Sequence, residues 1–393
     1  MSFNIVKNRL SILYFIDDLD NKKSGIYSSL QQTTSILKKN GSDVTVLGMG
    51  NLIKSQQTEW LVKTIPFKSF GPKSLNYLLG LDDWLKKNLS NYDIVGIHSL
   101  WSFSASILVK YCLLYNIPFV VTTHGMLHPE ALKISKWKKI LAKKILLSKL
   151  FKKAACFQAL NFSEYLYIKK FGVKVPISII GNGIQISNTK SLNNNFDLPI
   201  NFEKFNICLY LGRLHPIKGV DRLINSWLSI KIPSNWILVI AGSGDSNYES
   251  ELIAMTKNYK NSNIYFVGFV DGDEKHYLYN MSSFTVLPSH SEAFPMSVLE
   301  SFAHKKPVLI TKACQFDDAI NANAAITVES SKEGIAIGLQ ILINLNESDL
   351  IKMGQNGFNL AERNYSWDKI HTNLIEMYNW IIFREVQPNF IFK

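Results

Sequence analysis

The sequence predicts an α/β chain of two doubly wound parallel-sheet units facing a cleft. Three observations lead there. Short apolar runs rich in Val, Ile and Leu alternate with longer amphipathic stretches, the pattern of parallel strands covered by helices on both faces. The alternation stops at an Asn-rich, aperiodic stretch, residues 187–204, and then starts again, so this stretch reads as a linker. The charge divides at the same place: residues 1–190 hold 26 Lys and Arg against 10 Asp and Glu, and residues 191–393 hold 17 against 21. A basic half joined to a slightly acidic half implies two bodies with different partners.

In the first half the strand runs are LSILYFI (10–16), DVTVLGM (43–49), DIVGIHS (93–99), PFVVTTH (118–124), CFQAL (156–160) and ISIIGN (177–182). Helical stretches lie between them, for example 28–39 and 102–115. The second half repeats the scheme with FNICLYLGRL (205–214), WILVIAGSG (236–244), NIYFVGFV (263–270), SFTVLPS (283–289), PVLIT (307–311) and AITV (325–328). Residues 366–386 read as one or two amphipathic helices. The expected domains are 1–190 and 200–370, with 371–393 packing back towards the first.

Composition excludes several classes. With 47% apolar and 19% charged residues the chain is globular rather than disordered. No run approaches the roughly 18–20 apolar residues needed to span a bilayer. The first apolar run ends at Asp17 and Asp18 and reads as a strand, not a leader. Cys112, Cys156, Cys208 and Cys314 are far apart and form no CxxC, which suits a reducing cytoplasm.

Ligands of doubly wound sheets bind beyond the carboxyl ends of the strands, so the chemistry belongs at strand-to-helix turns. The first turn of the second half is GRLHPIKG (212–219). Arg213 and Lys218 place a planar fork and a point charge on one loop between Gly212 and Gly219, a pattern suited to a diphosphate. The second turn is SHSEAFPMSVLE (289–300). Pro295 reads as the first helical residue, with the amides of Met296, Ser297 and Val298 open to an anion. Carboxylates are unfavourable beside phosphate, so Glu292 and Glu300 are assigned to sugar hydroxyls. Cations for phosphate plus carboxylates for hydroxyls describe a sugar nucleotide.

GRLHPIKG and EAFPMSVLE resemble the signatures of the retaining glycosyltransferases of family 4, which have the GT-B fold. HSLW, THGMLHPEALK, IGNGI, AGSGD, VGFVDGDEK and NGFNLAERNYSW extend the resemblance over most of the chain. Three departures stand out: Pro295 where the family has Gly, Gly181-Asn182-Gly183 where it has PNG, and a lone Gly25 where it has paired glycines. The resemblance implies that Arg213 and Lys218 bind the donor diphosphate, Glu300 the ribose and Glu292 a hydroxyl near the reacting carbon. It implies that Phe269 and Val270 meet the nucleobase, that Gly25 lets its loop approach the phosphate, and that His124 contacts the donor sugar. Gly212, Phe294, Pro295, Met296 and Ser297 complete the donor site. His98 is a weaker candidate.

What the resemblance implies is metal-independent, retaining transfer of a hexosyl group from a nucleotide-diphosphate sugar, with no cofactor. The implied acceptor is a lipid-linked or growing glycan of bacterial surface polysaccharide. A catalytically inactive sugar-nucleotide-binding protein of the same fold, or a sugar-nucleotide epimerase, remain as alternatives. Asp271-Gly272-Asp273 and Asp18-Leu19-Asp20 match an Asp-x-Asp metal pattern, but the first, beside Lys275, reads as a solvated turn and no metal site is expected. There is no Walker A loop, and Gly242-Ser243-Gly244 lacks the third glycine of a dinucleotide fingerprint. From Lys133 to Lys153 the chain carries nine lysines, no acid and apolar residues at helical spacing. Such a segment suits an anionic membrane surface, which would make the protein peripheral at the inner face of the cell membrane. Nucleic acid is not an expected partner, because no stacking platform or binding motif accompanies the lysines.

Overall fold

The computed structural model describes residues 9–22, 24–51, 60–71, 77–133, 148–186, 202–257 and 263–393. They belong to two compact units, Met1–Gly183 with Trp367–Lys393, and Ile184–Ser366. Most of the 187–204 linker and the centre of the lysine-rich segment lie outside the described residues.

The strands in chain order are β1 (Ser11–Asp18), β2 (Asp43–Met49), β3 (Lys63–Phe67), β4 (Ser69–Phe70), β5 (Tyr77–Leu78), β6 (Ile94–Ile97), β7 (Phe119–Thr122), β8 (Cys156–Ala159) and β9 (Ile177–Ile179). Then follow β10 (Asn206–Leu211), β11 (Trp236–Ala241), β12 (Ile264–Gly268), β13 (Phe284–Leu287), β14 (Val308–Thr311), β15 (Ala325–Val328) and β16 (Ile391–Phe392).

The first unit holds an eight-stranded sheet in the order β16-β9-β8-β7-β6-β1-β2-β3, parallel except for β16 against β9. Every residue of β6, β7 and β8 is buried, as a strand covered on both faces must be. β3, absent from the expected strands, contains Pro66 and lies at the sheet edge, where a missing N–H breaks no ladder. The C-terminal helix is single, Trp367–Phe383, and starts ahead of position 371. Its Ile370, Leu374, Met377 and Tyr378 are buried against Tyr14, Leu30 and Val46. Each such side chain stabilises by roughly 1.5–3 kcal/mol. Tyr378 and Tyr14 also share a hydroxyl–hydroxyl hydrogen bond of 2.6 Å, which satisfies both buried polar tips.

The second unit is a six-stranded parallel sheet in the order β12-β11-β10-β13-β14-β15. The chain winds outward from β10 on one side and from β13 on the other, so strand order reverses between them. Apolar clusters cover both faces, one around Trp227, Leu238 and Leu339, the other around Phe202, Val239 and Tyr279. Ile184 bridges Ser366 in parallel, so the segments that enter and leave this unit run side by side. All four cysteines are free and buried. No helix of the described residues is long and apolar enough to cross a membrane.

Candidate functional site

In the second unit the loops after β10 and β13 flank the reversal point, where doubly wound sheets bind ligands. The β10 loop is held by its neighbours: Gly212 N donates to Ala241 O at 3.1 Å and Leu214 N to Ser243 O at 2.9 Å. A short 3-10 turn, Pro216–Lys218, follows, and Gly219 starts the helix Val220–Ser229 with φ +69°. A Cβ there would stand 2.3 Å from the Pro288 carbonyl oxygen, so glycine lets this loop lie against the β13 loop. Arg222 Nη2 donates to the same Pro288 carbonyl at 3.1 Å, and His290 N to Ile217 O at 2.7 Å.

This packing brings Lys218 Nζ to 2.6 Å from Glu292 Oε1 across 74 residues of sequence. The pair is mostly sheltered, with side-chain exposures of 19% and 8%. Ser289 Oγ donates to the same carboxylate oxygen at 2.6 Å. Beneath it, Tyr210 Oη donates to the Arg213 carbonyl at 2.8 Å. Burial raises the Tyr210 phenol, the Glu292 charge raises it further and the Arg213 charge lowers it, so both charges act on one buried ring. The Arg213 side chain itself is exposed.

Glu300 lies in the helix Met296–Ala303, half-buried. Lys275 Nζ sits 2.9 Å from its Oε1, and Tyr279 Oη donates to its Oε2 at 2.9 Å. Burial, then Glu300, raises Tyr279 well above the ordinary phenol range, so it stays a hydrogen-bond donor. Of the turn that reads as solvated, the two aspartates Asp271 and Asp273 are exposed, but Lys275 turns inward onto Glu300.

Several donor-site expectations change. Pro295 is the capping residue before the helix, not its first residue, because its ψ of 80° is not helical. Met296 N donates to Phe294 O and Val298 N to Pro295 O, both at 3.0 Å, so these two amides are occupied within the turn. The Phe294 side chain is buried against Phe316 and Tyr365. Val270 is likewise core, 6% exposed, whereas Phe269 is 68% exposed. In the VGFV stretch one residue turns inward and its neighbour stays outside, whereas Phe294 and Pro295 are both buried.

In the first unit His124 follows β7 in the left-handed region, φ +45°, with Gly125 at +74°. Its Nε2 is 2.7 Å from His98 Nδ1, at the end of β6. His98 thus joins His124 directly. Burial holds His124 down at about 4, and burial with the neighbouring ring holds His98 well below its ordinary value. Two residues missed by sequence reading support this corner. Glu164 binds the loop backbone, and Ser99 Oγ donates to Asp17 Oδ2 at 2.6 Å. Gly25 opens the helix Gly25–Lys39 behind the capping Ser24, and among the described residues nothing beyond its chain neighbours and its own helix backbone lies within 4 Å of where its Cβ would be.

Acidification is therefore expected to destabilise the fold. His98, His124, His128, His290, His304 and His371 all have lowered pKa values in the folded chain. The unfolded chain binds protons first below about 6.5, so stability falls with pH from there towards the folded values, by up to about 1.4 kcal/mol per pH unit per fully linked histidine. The raised carboxyl of Glu164 acts in the opposite sense above the ordinary carboxylate range, one group against six. Urea midpoints measured at pH 7.5 and 5.5 should fall by a readily measured amount; equal midpoints would contradict the assignment of neutral buried rings.

Residues 194–369 match the family described as glycosyl transferases group 1, and residues 24–188 match glycosyltransferase family 4. An uncharacterized glycosyltransferase of Methanocaldococcus jannaschii is 28% identical over 212 residues, 51% of this chain and 53% of that protein. The chain thus spans about half the length of this relative. O-antigen chain mannosyltransferase C of Escherichia coli is 22% identical over 182 residues, 45% of this chain and 47% of that one. The solved structure of Anabaena HepE in complex with UDP-glucose superposes with a TM-score of 0.73 at 16% identity, covering 94% of this chain and 99% of that chain.

Proposed function

Because this chain belongs to the GT-B glycosyltransferases of the family 4 kind, we propose that it transfers a hexosyl group, with retention, from a nucleotide-diphosphate sugar to a hydroxyl of a glycan acceptor. One observation carries this reading: at the strand reversal, a cation and a carboxylate from two separate loops meet at 2.6 Å, Lys218 on Glu292. In the reading, the donor diphosphate takes Lys218 from Glu292 and adds Arg213. Glu292 turns to a sugar hydroxyl, and Glu300 to the ribose.

Retention places the incoming hydroxyl on the face the diphosphate leaves. As the anomeric carbon–oxygen bond breaks, negative charge grows on the diphosphate. Fixed cations lower that barrier because they bind the leaving group more strongly than the bound donor. The departing diphosphate oxygen takes the hydroxyl proton, so no separate protein base is required. Two protein cations supply the charge stabilisation, which is the basis for proposing metal independence. His124 is assigned to the donor sugar.

The acceptor we propose is a lipid-linked or growing glycan of surface polysaccharide, a reading supported by the likeness to an O-antigen chain mannosyltransferase. UDP-sugars head the donor candidates because a structural neighbour binds UDP-glucose. Contact with the inner membrane surface rests on the lysines between Lys133 and Lys153. The test is a binding and turnover screen with UDP-, GDP- and ADP-sugars, with and without chelator. Turnover of at least one donor, insensitive to chelator and with the anomeric configuration kept, is expected. Binding without transfer or hydrolysis refutes the enzyme reading, and loss of turnover with chelator refutes metal independence.

Gly25 offers a separate check. The described residues outside its own helix leave space for a methyl there, so they do not require glycine at this position. Gly25→Ala is expected to leave stability unchanged or raise it by about 0.4–1 kcal/mol. If a phosphate packs against its backbone, the same methyl should cut kcat/KM for the donor at least tenfold. Full activity in the stable variant would remove Gly25 from the site.

A further inference from the structure

Glu164 is a charged residue where a chain normally avoids one. It is 3% exposed. Burying a carboxylate is unfavourable unless donors surround it, and three do. Thr123 Oγ1 donates to Oε1 at 2.5 Å, Gly125 N donates to Oε1 at 2.5 Å, and Leu160 N donates to Oε2 at 2.6 Å. Its own backbone N–H donates to Asn161 Oδ1, the cap of the helix Phe162–Lys170. Asn161-x-x-Glu164 is the spacing of a capping box, in which the acid would serve its own helix end. Here Oε1 instead reaches the loop after β7 and takes one donor from each side of His124.

The two bonds bracket the strained residue. A non-glycine residue in the left-handed region persists only where its surroundings hold it, and His124 has φ +45°. Thr123 and Gly125 are fixed to one carboxylate oxygen, so the residue between them is carried through a tight turn and its ring delivered to His98. The third bond ties the same carboxylate to the end of β8, so the loop is referenced to the sheet.

We propose that Glu164 is a positioning residue: through Thr123 and Gly125 it clamps the loop that presents His124 and thereby keeps the His124 ring on His98. The assignment of His124 to the donor sugar comes from the reading above; the clamp itself does not depend on it. With the clamp in place the two rings share one proton along the Nδ1–Nε2 line and stay neutral, as the lowered values of both rings agree. Without it the loop relaxes from the left-handed conformation, the ring leaves its partner, and His124 meets water.

The test uses the full chain and two observables. Thr123→Val removes one clamp bond with little change in volume, Thr123→Ser keeps the hydroxyl, and Glu164→Ala removes the acceptor that Thr123 and Gly125 share. Histidine ring signals are followed by NMR from pH 5.5 to 8. In the wild type His98 and His124 should not titrate in that range. In Thr123→Val, His124 should titrate with a midpoint raised towards 6, and Thr123→Ser should restore the silent behaviour. With the donor found in the screen, Thr123→Val should lower kcat at least tenfold while leaving nucleoside diphosphate affinity unchanged, and Thr123→Ser should recover it. Titration curves of Thr123→Val and of folded Glu164→Ala that overlay the wild type overturn the clamp. A freed His124 with unchanged kcat overturns its positioning role. If the wild type turns over no donor at all, the functional reading fails, and the ring titration alone still decides the clamp.

Discussion

Lys218→Ala is expected to lower kcat/KM for the sugar nucleotide by about 10–150-fold, the equivalent of one charge-assisted hydrogen bond of roughly 1.5–3 kcal/mol. The backbone that carries Lys218 is held by the left-handed Gly219 and by the hydrogen bond from His290 N to Ile217 O. In the ligand-free protein it neutralises Glu292, a carboxylate only 8% exposed. Alanine therefore does two things. It removes a cation from the leaving group, and it leaves Glu292 with Ser289 as its nearest donor, an acid whose negative charge now faces an incoming diphosphate. Both effects lower donor capture, so the nucleoside diphosphate should also bind more weakly. Lys218→Arg should keep part of the activity, because the charge remains while the point contact becomes a fork. A Lys218→Ala enzyme with wild-type kcat/KM would end the assignment of the diphosphate to this loop.

The Lys218–Glu292 pair also marks how far residue order can be read. Both residues could be picked out from their turns, because a strand run into a glycine-bounded basic loop is a local pattern. Their contact could not, since it depends on β13 standing next to β10 although two strands intervene in sequence. The strands themselves were legible wherever the run was apolar throughout, as in β6, β7 and β8. β3 was not, because Pro66 argues against a ladder unless the edge position is known. Phe294 and Val270 lie within binding motifs, but a motif serves both sides of a loop, and these two side chains turn into the core. Lys275, Tyr279 and Glu164 could not be distinguished from ordinary helix residues, since what makes them functional candidates is a partner on another element. His98 needed the same knowledge: it is a strand-end histidine until His124 arrives at 2.7 Å.

Gly242→Ala is expected to be the most destabilising of the single methyl additions considered. Gly242 follows β11 with φ +142°, a conformation other residues avoid, just after the register of β11 against β12 shifts. Its N–H donates to the Gly268 carbonyl at 2.6 Å, and its missing side chain lets the Gly212 carbonyl approach to 1.9 Å from where a Cβ would be. The obstacle is backbone, not a flexible side-chain tip, so the clash cannot be relieved by a rotamer change. The forced conformation costs about 1–3 kcal/mol, and crowding in a packed place another ~1–3 kcal/mol. Together about 2–6 kcal/mol should lower the Tm by roughly 5–20 °C for a unit of this size. The loss should not stop at stability. Gly212 and Arg213 belong to the loop that the methyl would push, so donor affinity should fall in whatever fraction remains folded. Gly25→Ala makes the matched control, since its methyl meets no atom of the described residues beyond its chain neighbours and own helix. The two alanines should therefore separate cleanly, one lowering Tm and donor affinity together, the other sparing Tm. A Gly242→Ala protein that melts with the wild type would mean that β10, β11 and β12 do not converge at this glycine, and the loop that holds Arg213 and Lys218 would lose its support.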